Sequence, residues 1–143
     1  MKKGFTLLEI LLVIAAIGIL AAIVIVAINP NRQLAQARDA ERSSELRSVY
    51  QALEQFNIDN GQYPSALNVG YQELCVVSGG SDCVDIVNEL VPTYLSSIPQ
   101  DPSVTGDGSG YAVSLTQNQL GFSIVASNSE QGRQFLGALM YSL

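Results

Sequence analysis

The chain has no histidine and no tryptophan. Without histidine there is no Ser-His-Asp or Cys-His catalysis, and no metal site that relies on imidazole. Positive charge is scarce too: 7 basic residues stand against 13 acidic ones in 143, for a net charge of −6. The few arginines form no patch beyond residues 32–47, so strong nucleic-acid binding by a single subunit is not expected. Cysteine is limited to Cys75 and Cys83, eight residues apart around Gly79-Gly80. In an exported chain this spacing reads as a disulfide closing a small loop, which the chain-entropy model values at about 2.5 kcal/mol. Two free thiols or part of a metal site are the other readings.

What the chain has in quantity is apolar sequence, concentrated at its start. From Phe5 to Ile28 only Thr6, Glu9 and Gly18 interrupt Leu, Ile, Val, Ala and Phe. As a helix this run would be about 36 Å long, enough to cross the ~30 Å hydrocarbon core of a bilayer. It is too long for the core of a cleaved secretory signal, which has about 7–15 apolar residues. Lys2 and Lys3 precede the run and place that end in the cytoplasm, whereas Arg32, Arg38, Arg42 and Arg47 beyond it pull the other way. Glu9 is the only charge inside the run. A carboxylate in hydrocarbon costs roughly 2.5–3.5 kcal/mol even on lenient scales, so Glu9 is a functional candidate.

Lys2-Lys3-Gly4, then Phe5-Thr6-Leu7-Leu8-Glu9, then an apolar helix resembles the class III signal of type IV prepilins and type II secretion major pseudopilins. The resemblance implies cleavage between Gly4 and Phe5 by a prepilin peptidase and N-methylation of the new Phe5 amine. Gly4 has no side chain, so a protease can take its backbone extended. After the cut, the Phe5 ammonium becomes available to pair with Glu9 of a neighbouring subunit and set the register of a helix bundle. Removing one partner of a buried ion pair costs about 3–5 kcal/mol.

Asn29-Pro30 ends the apolar run, and a kink or break is expected at Pro30. Gly18 is a second weak point, by about 1 kcal/mol relative to Ala. Melting between such a Gly and Pro is what the filament resemblance implies. Asn31 to Asn60 reads as an amphipathic helix whose apolar face holds Leu46, Val49, Tyr50, Leu53 and Phe56. Arg38, Asp39, Glu41, Arg42, Glu45 and Arg47 form its solvated or intersubunit face, with Asp39–Arg42 and Arg38–Glu41 as local pairs. Asp59-Asn60-Gly61 is a stop signal. The Asn60-Gly61-Gln62-Tyr63-Pro64 passage resembles the family's entry into its globular head, with Tyr63 packing on the helix.

Residues 65–83 read as a loop-rich connection carrying the cystine, and Val84 to Tyr94 as a short helix disturbed by Pro92. Leu90 to Leu95 followed by Ile98-Pro99-Gln100-Asp101-Pro102 resembles a passage of major pseudopilins. Gly106, Gly108 and Gly110 suggest a flexible loop. Tyr111–Leu115 and Leu120–Ala126 read as a hairpin around a turn at residues 116–119. The apolar tail Phe135 to Leu143 packs on the sheet or adds a last strand or helix. Asp101 and Asp107 are weak calcium candidates, and no other cofactor is expected. The Gly106–Gly110 run lacks the ending of a phosphate loop. Asp82 and Asp85 have no pocket around them in sequence that would make them glycosidase-like carboxylates.

The expected fold is α+β and pilin-like: a long N-terminal helix whose second half packs on a small antiparallel sheet. The expected divisions are a leader at 1–4, a transmembrane and filament-core helix at 5–28, an amphipathic half at 29–60 and a head at 61–143. The expected function is non-enzymatic, as a subunit of a type IV pilus-like filament, with a major pseudopilin as the alternative. A single-pass membrane-tethered enzyme or binding module is a more remote reading. Expected partners are copies of itself, the prepilin peptidase, an assembly ATPase and an inner-membrane platform protein. The expected location is the inner membrane before assembly and a periplasmic or extracellular filament after it.

Overall fold

The computed structural model describes residues 4–118 and 120–130 and divides the chain into two compact units, 1–36 and 37–143. The expected tail element from Phe135 to Leu143 lies outside the described residues.

In the first unit, helix α1 spans Leu7–Ile28 and buries none of its side chains. It is long and apolar enough to cross a membrane. The break expected at Pro30 falls at Asn29, which adopts the left-handed conformation with φ 47° and ψ 79°. Asparagine is among the few non-glycine residues that tolerate it. Pro30 then opens helix α2 (Pro30–Asn60), where its missing N–H costs nothing. The Asn29 carbonyl accepts from Arg32 N at 3.1 Å and Gln33 N at 3.4 Å, so one residue closes α1 and starts α2. Gly18 leaves α1 unbroken.

The second unit holds most of α2 and the head. Gly61, at φ +74°, closes α2 as its N–H reaches the Asn57 carbonyl at 2.8 Å. Three antiparallel strands follow in the order β1-β2-β3, namely β1 Gln72–Cys75, β2 Gly108–Leu115 and β3 Phe122–Ala126. Between β1 and β2 lies a single helical turn, α3 (Val87–Leu90). Leu46, Val49 and Leu53 of α2 meet Leu74, Ile86, Leu90, Tyr111, Val113 and Ile124 in one core. Phe122 stacks near Tyr50 and Tyr63, with ring centres 4.9 and 5.2 Å away. Tyr63 is buried as expected, and its hydroxyl donates to Glu54 at 3.2 Å.

The fold departs from the sequence expectations in four places. β1 forms inside the stretch read as a loop. It is four residues long and kinked by a register shift between Glu73 and Cys75, so no alternation announces it. The glycine run is strand from Gly108 onward. Gly110 sits at φ +77°, and a Cβ there would lie 2.8 Å from Asp101 Cβ and 2.9 Å from Val104. Those glycines allow close packing rather than a flexible loop. The helix expected from Val84 to Tyr94 shrinks to Val87–Leu90. Finally, Arg42 and Asp39 are buried instead of solvated, and Arg38 pairs with Glu130 rather than Glu41.

Candidate processing and assembly site

The N-terminal site is built from four residues. Gly4, Phe5 and Thr6 precede α1 without helical structure, and all three are exposed. Around Gly4 nothing would meet an added Cβ within 4 Å. Thr6 is extended (φ −78°, ψ 151°) and caps α1. Its hydroxyl accepts from Glu9 N at 3.3 Å, while its own N–H donates to Glu9 Oε2 at 3.4 Å. This is a reciprocal capping box, with the carboxylate also on the positive end of the helix. Glu9 therefore folds back toward the residues that follow Gly4. Thr6 is the helix cap that the sequence alone had not been read to contain. Its signal was available, because Thr6-Leu7-Leu8-Glu9 fits the Thr-x-x-Glu capping pattern ahead of an apolar run.

In the head, the other candidate residues are already engaged. Asp101 is fully buried, and both its oxygens bind Arg42, at 2.8 Å to Nε and 3.0 Å to Nη2. Burial alone would raise the Asp101 pKa; the Arg42 contacts and the Ser103 N–H outweigh it and hold the carboxyl below the usual range. A carboxylate neutralised this way is a poor calcium ligand. Asp107 lines an open cleft of about 310 Å³ with Glu73, Ser81, Asp82 and Thr105. Glu73 in turn accepts from the Gly110 N–H at 2.8 Å. Among the described residues, no three His, Cys, Asp or Glu side chains converge to hold a metal ion. Cys75 and Cys83 are joined by a disulfide, and Gly80 packs so closely on it that a Cβ would meet both sulfurs. Asp85 accepts from Gly79 N, Val87 N and the Ser78 hydroxyl, which hold its pKa low and fix the same loop.

Two tyrosines anchor the core to α2. Burial, then Glu54, pushes the Tyr63 pKa up to about 12. Burial, then the bond to Glu45, raises that of Tyr111 further. A larger cleft of about 550 Å³ is lined by Asn57, Gln62, Tyr63, Ser65, Asn68 and Leu120 among others, with no charged side chain among the described residues.

Residues 1–25 match the family model of the prokaryotic N-terminal methylation motif. The chain is 35% identical over 101 residues to the type II secretion system core protein G of Klebsiella pneumoniae, covering 71% of this chain and 69% of that protein. It is 34% identical over 101 residues to the core protein G of Pectobacterium carotovorum subsp. carotovorum, and 36% identical to that of Aeromonas hydrophila. The matched stretch spans 62% of the Pectobacterium protein and 67% of the Aeromonas protein. No solved structure matches the chain significantly. The motif and the 35% identity over 69% of the Klebsiella protein lead to one conclusion: the chain belongs to the type II secretion system core protein G family, the major pseudopilins.

Proposed function

We propose that the chain is the repeating, non-catalytic subunit of a pseudopilus. Residues 1–4 are its leader, 5–28 its membrane span and later filament core, 29–60 its amphipathic helix, and 61–143 its head. It waits in the inner membrane as a single-pass protein and moves from there into a periplasmic helical filament. An assembly ATPase and a platform protein drive that movement. The relatives' name shifts the reading from a surface pilus to a secretion pseudopilus.

The observation that carries the proposal is the layout at the N-terminus. An exposed, non-helical Gly4-Phe5 bond precedes an apolar helix that buries none of its residues, and Glu9 bends back toward Thr6 N. A peptidase would hydrolyse the Gly4–Phe5 bond and free the Phe5 amine, which a methyl-donor-dependent transferase would then methylate. Within hydrocarbon, association gains little from burying apolar surface already in lipid. Packing and the Glu9–Phe5 charge pair therefore set the register. Gly18 and the Asn29–Pro30 junction are where α1 would stretch on assembly.

The sequence makes the processing test clean. Lys2 and Lys3 are the only lysines, so after cleavage the Phe5 amine is the single aliphatic amine left. Mass spectrometry of the membrane-extracted protein should show a chain that begins at Phe5 and carries one N-methyl group. An amine-reactive label should modify that one site. A chain that still begins at Met1 in cells holding an active prepilin peptidase overturns the proposal.

A further inference from the structure

Asparagine followed by glycine is the pair most prone to lose its side-chain amide, because glycine has no side chain to shield its own nitrogen. Of the eight asparagines in the chain, only Asn60 precedes a glycine. Asn60 is the last residue of α2, and Gly61 is its left-handed cap at φ +74°. Both are exposed, and nothing among the described residues lies within 4 Å of a Cβ added at Gly61. Water therefore reaches the pair.

The fold nonetheless withholds the reacting atoms. The Gly61 N–H donates to the Asn57 carbonyl at 2.8 Å, which keeps its proton engaged. Asn60 Nδ2 donates to the Phe56 carbonyl at 2.9 Å and to the Tyr94 hydroxyl at 3.3 Å, which turns the side chain back over the preceding turn. The Tyr94 ring meets Phe56 edge to face with centres 5.6 Å apart, so its hydroxyl is anchored. Closing a ring between the Gly61 nitrogen and the Asn60 side chain also requires ψ of Asn60 to leave the helical value of about −42°.

We propose that Asn60–Gly61 is a deamidation site gated by the last turn of α2, with Tyr94 as its latch. When the turn opens, the Gly61 nitrogen gives its proton to water or hydroxide and attacks Asn60 Cγ. A Cγ–N bond to Gly61 forms, the Cγ–Nδ2 bond breaks, and Nδ2 leaves as ammonia. Water then opens the resulting succinimide at either carbonyl, giving aspartate or isoaspartate. The change is one-way, and it weakens the turn in which it occurs. A carboxylate replaces the amide donor to the Phe56 carbonyl, and it adds a negative charge next to Asp59 at the negative end of the helix dipole.

The test is peptide-mapping mass spectrometry of the full-length protein, held in detergent micelles in mildly alkaline buffer with and without urea. Conversion should collect at Asn60 ahead of every other asparagine. It should run about tenfold or more slower in the folded protein than in urea, since the folded rate is the unfolded rate scaled by the open fraction. Tyr94→Phe removes the latch and keeps the ring, so it should raise the folded rate several-fold and leave the rate in urea unchanged. Asn60→Asp, which carries the aspartate product from the start, should lower the urea midpoint. Equal rates at Asn60 with and without urea overturn the gate, and an unchanged folded rate in Tyr94→Phe overturns the latch. Faster conversion at another asparagine in urea overturns the choice of site, and an unchanged midpoint in Asn60→Asp rejects the weakening. Should Tyr94→Phe not fold, the parent compared in the two conditions decides alone.

Discussion

The two long helices treat charge in opposite ways. α1 buries none of its 22 residues and carries one charge, Glu9, on its first turn. α2 buries Arg42 and Asp39 while leaving most of its other polar residues exposed. An acid in an apolar run and a guanidinium in a core pose the same physical problem, a charge outside water that needs a partner. The solutions differ in where the partner comes from. Arg42 finds Asp101 in its own chain, 59 residues away. Among the described residues the Glu9 carboxylate has only the Thr6 N–H, and on our proposal it completes its pairing with another copy. Changes in α1 should therefore read out in assembly, and changes in the α2 cluster in stability.

The sharpest way to break this contrast is Glu9→Ala. We expect insertion and head stability to be unchanged and filament assembly to be abolished. Fractionation of sheared filaments against membranes, with urea unfolding of the same protein, measures both arms. Normal filaments from this variant would remove the pairing role. A destabilised head would remove the division of labour.

Next in size is Arg42→Ala. Arg42 and Asp101 are both fully buried, so deletion strands two carboxylates inside the head. The expected loss is about 3–5 kcal/mol. The pH dependence has a definite sign. Asp101 has its folded pKa held below the unfolded value of about 4, so its contribution is present above pH ~4 and lost as pH falls through the folded pKa. Tyr63 acts at the other end. Its folded pKa of about 12 means stability is intact below the unfolded value near 10 and lost between there and 12. Urea midpoints across pH should thus show an acid limb that Asp101→Asn flattens. An acid limb unchanged in Asp101→Asn would show that the cluster is not its origin.

How much of this was legible in the sequence follows from how local each signal is. The N-terminal motif, the break at Asn29-Pro30, the stop at Gly61 and the apolar face of α2 depend on residues a few positions apart, and all could be read. The pair Asp39–Arg42 is local and was read; its burial was not, because Asp101 and Ser103, which draw Arg42 inward, lie far along the chain. Arg38 had Glu41 one turn away, yet it takes Glu130, 92 residues on. β1 is short and bulged, and only its partner β2 defines it. Thr6 is the exception: its capping signal was local and was overlooked beside Glu9.

A smaller effect is expected at the cystine. Cys75→Ser with Cys83→Ser should lower stability by about 2.5 kcal/mol on the chain-entropy account. Asp85 holds the same loop through Ser78, Gly79 and Val87, so part of the loop order should survive reduction. Equal urea midpoints with and without reductant would mean that the Asp85 contacts alone fix the loop.

The smallest expected effect is at Arg38, and it tests whether burial or pairing matters more. Among the described residues Arg38 and Glu130 make the closest ion pair of the cluster, at 2.5 Å, but their side chains are 39% and 31% exposed. Water already solvates both charges, so pairing them gains little and fixes two long side chains. Arg42 makes a longer contact to Asp101, at 2.8 Å, with no exposure on either side. If desolvation rather than distance sets the cost, Arg38→Ala should shift the urea midpoint far less than Arg42→Ala, and less still in high salt, where screening weakens exposed pairs. A loss at Arg38 equal to that at Arg42 would mean that Glu130 is held mainly by this pair, and that the end of the described chain is as costly to release as the core is to open.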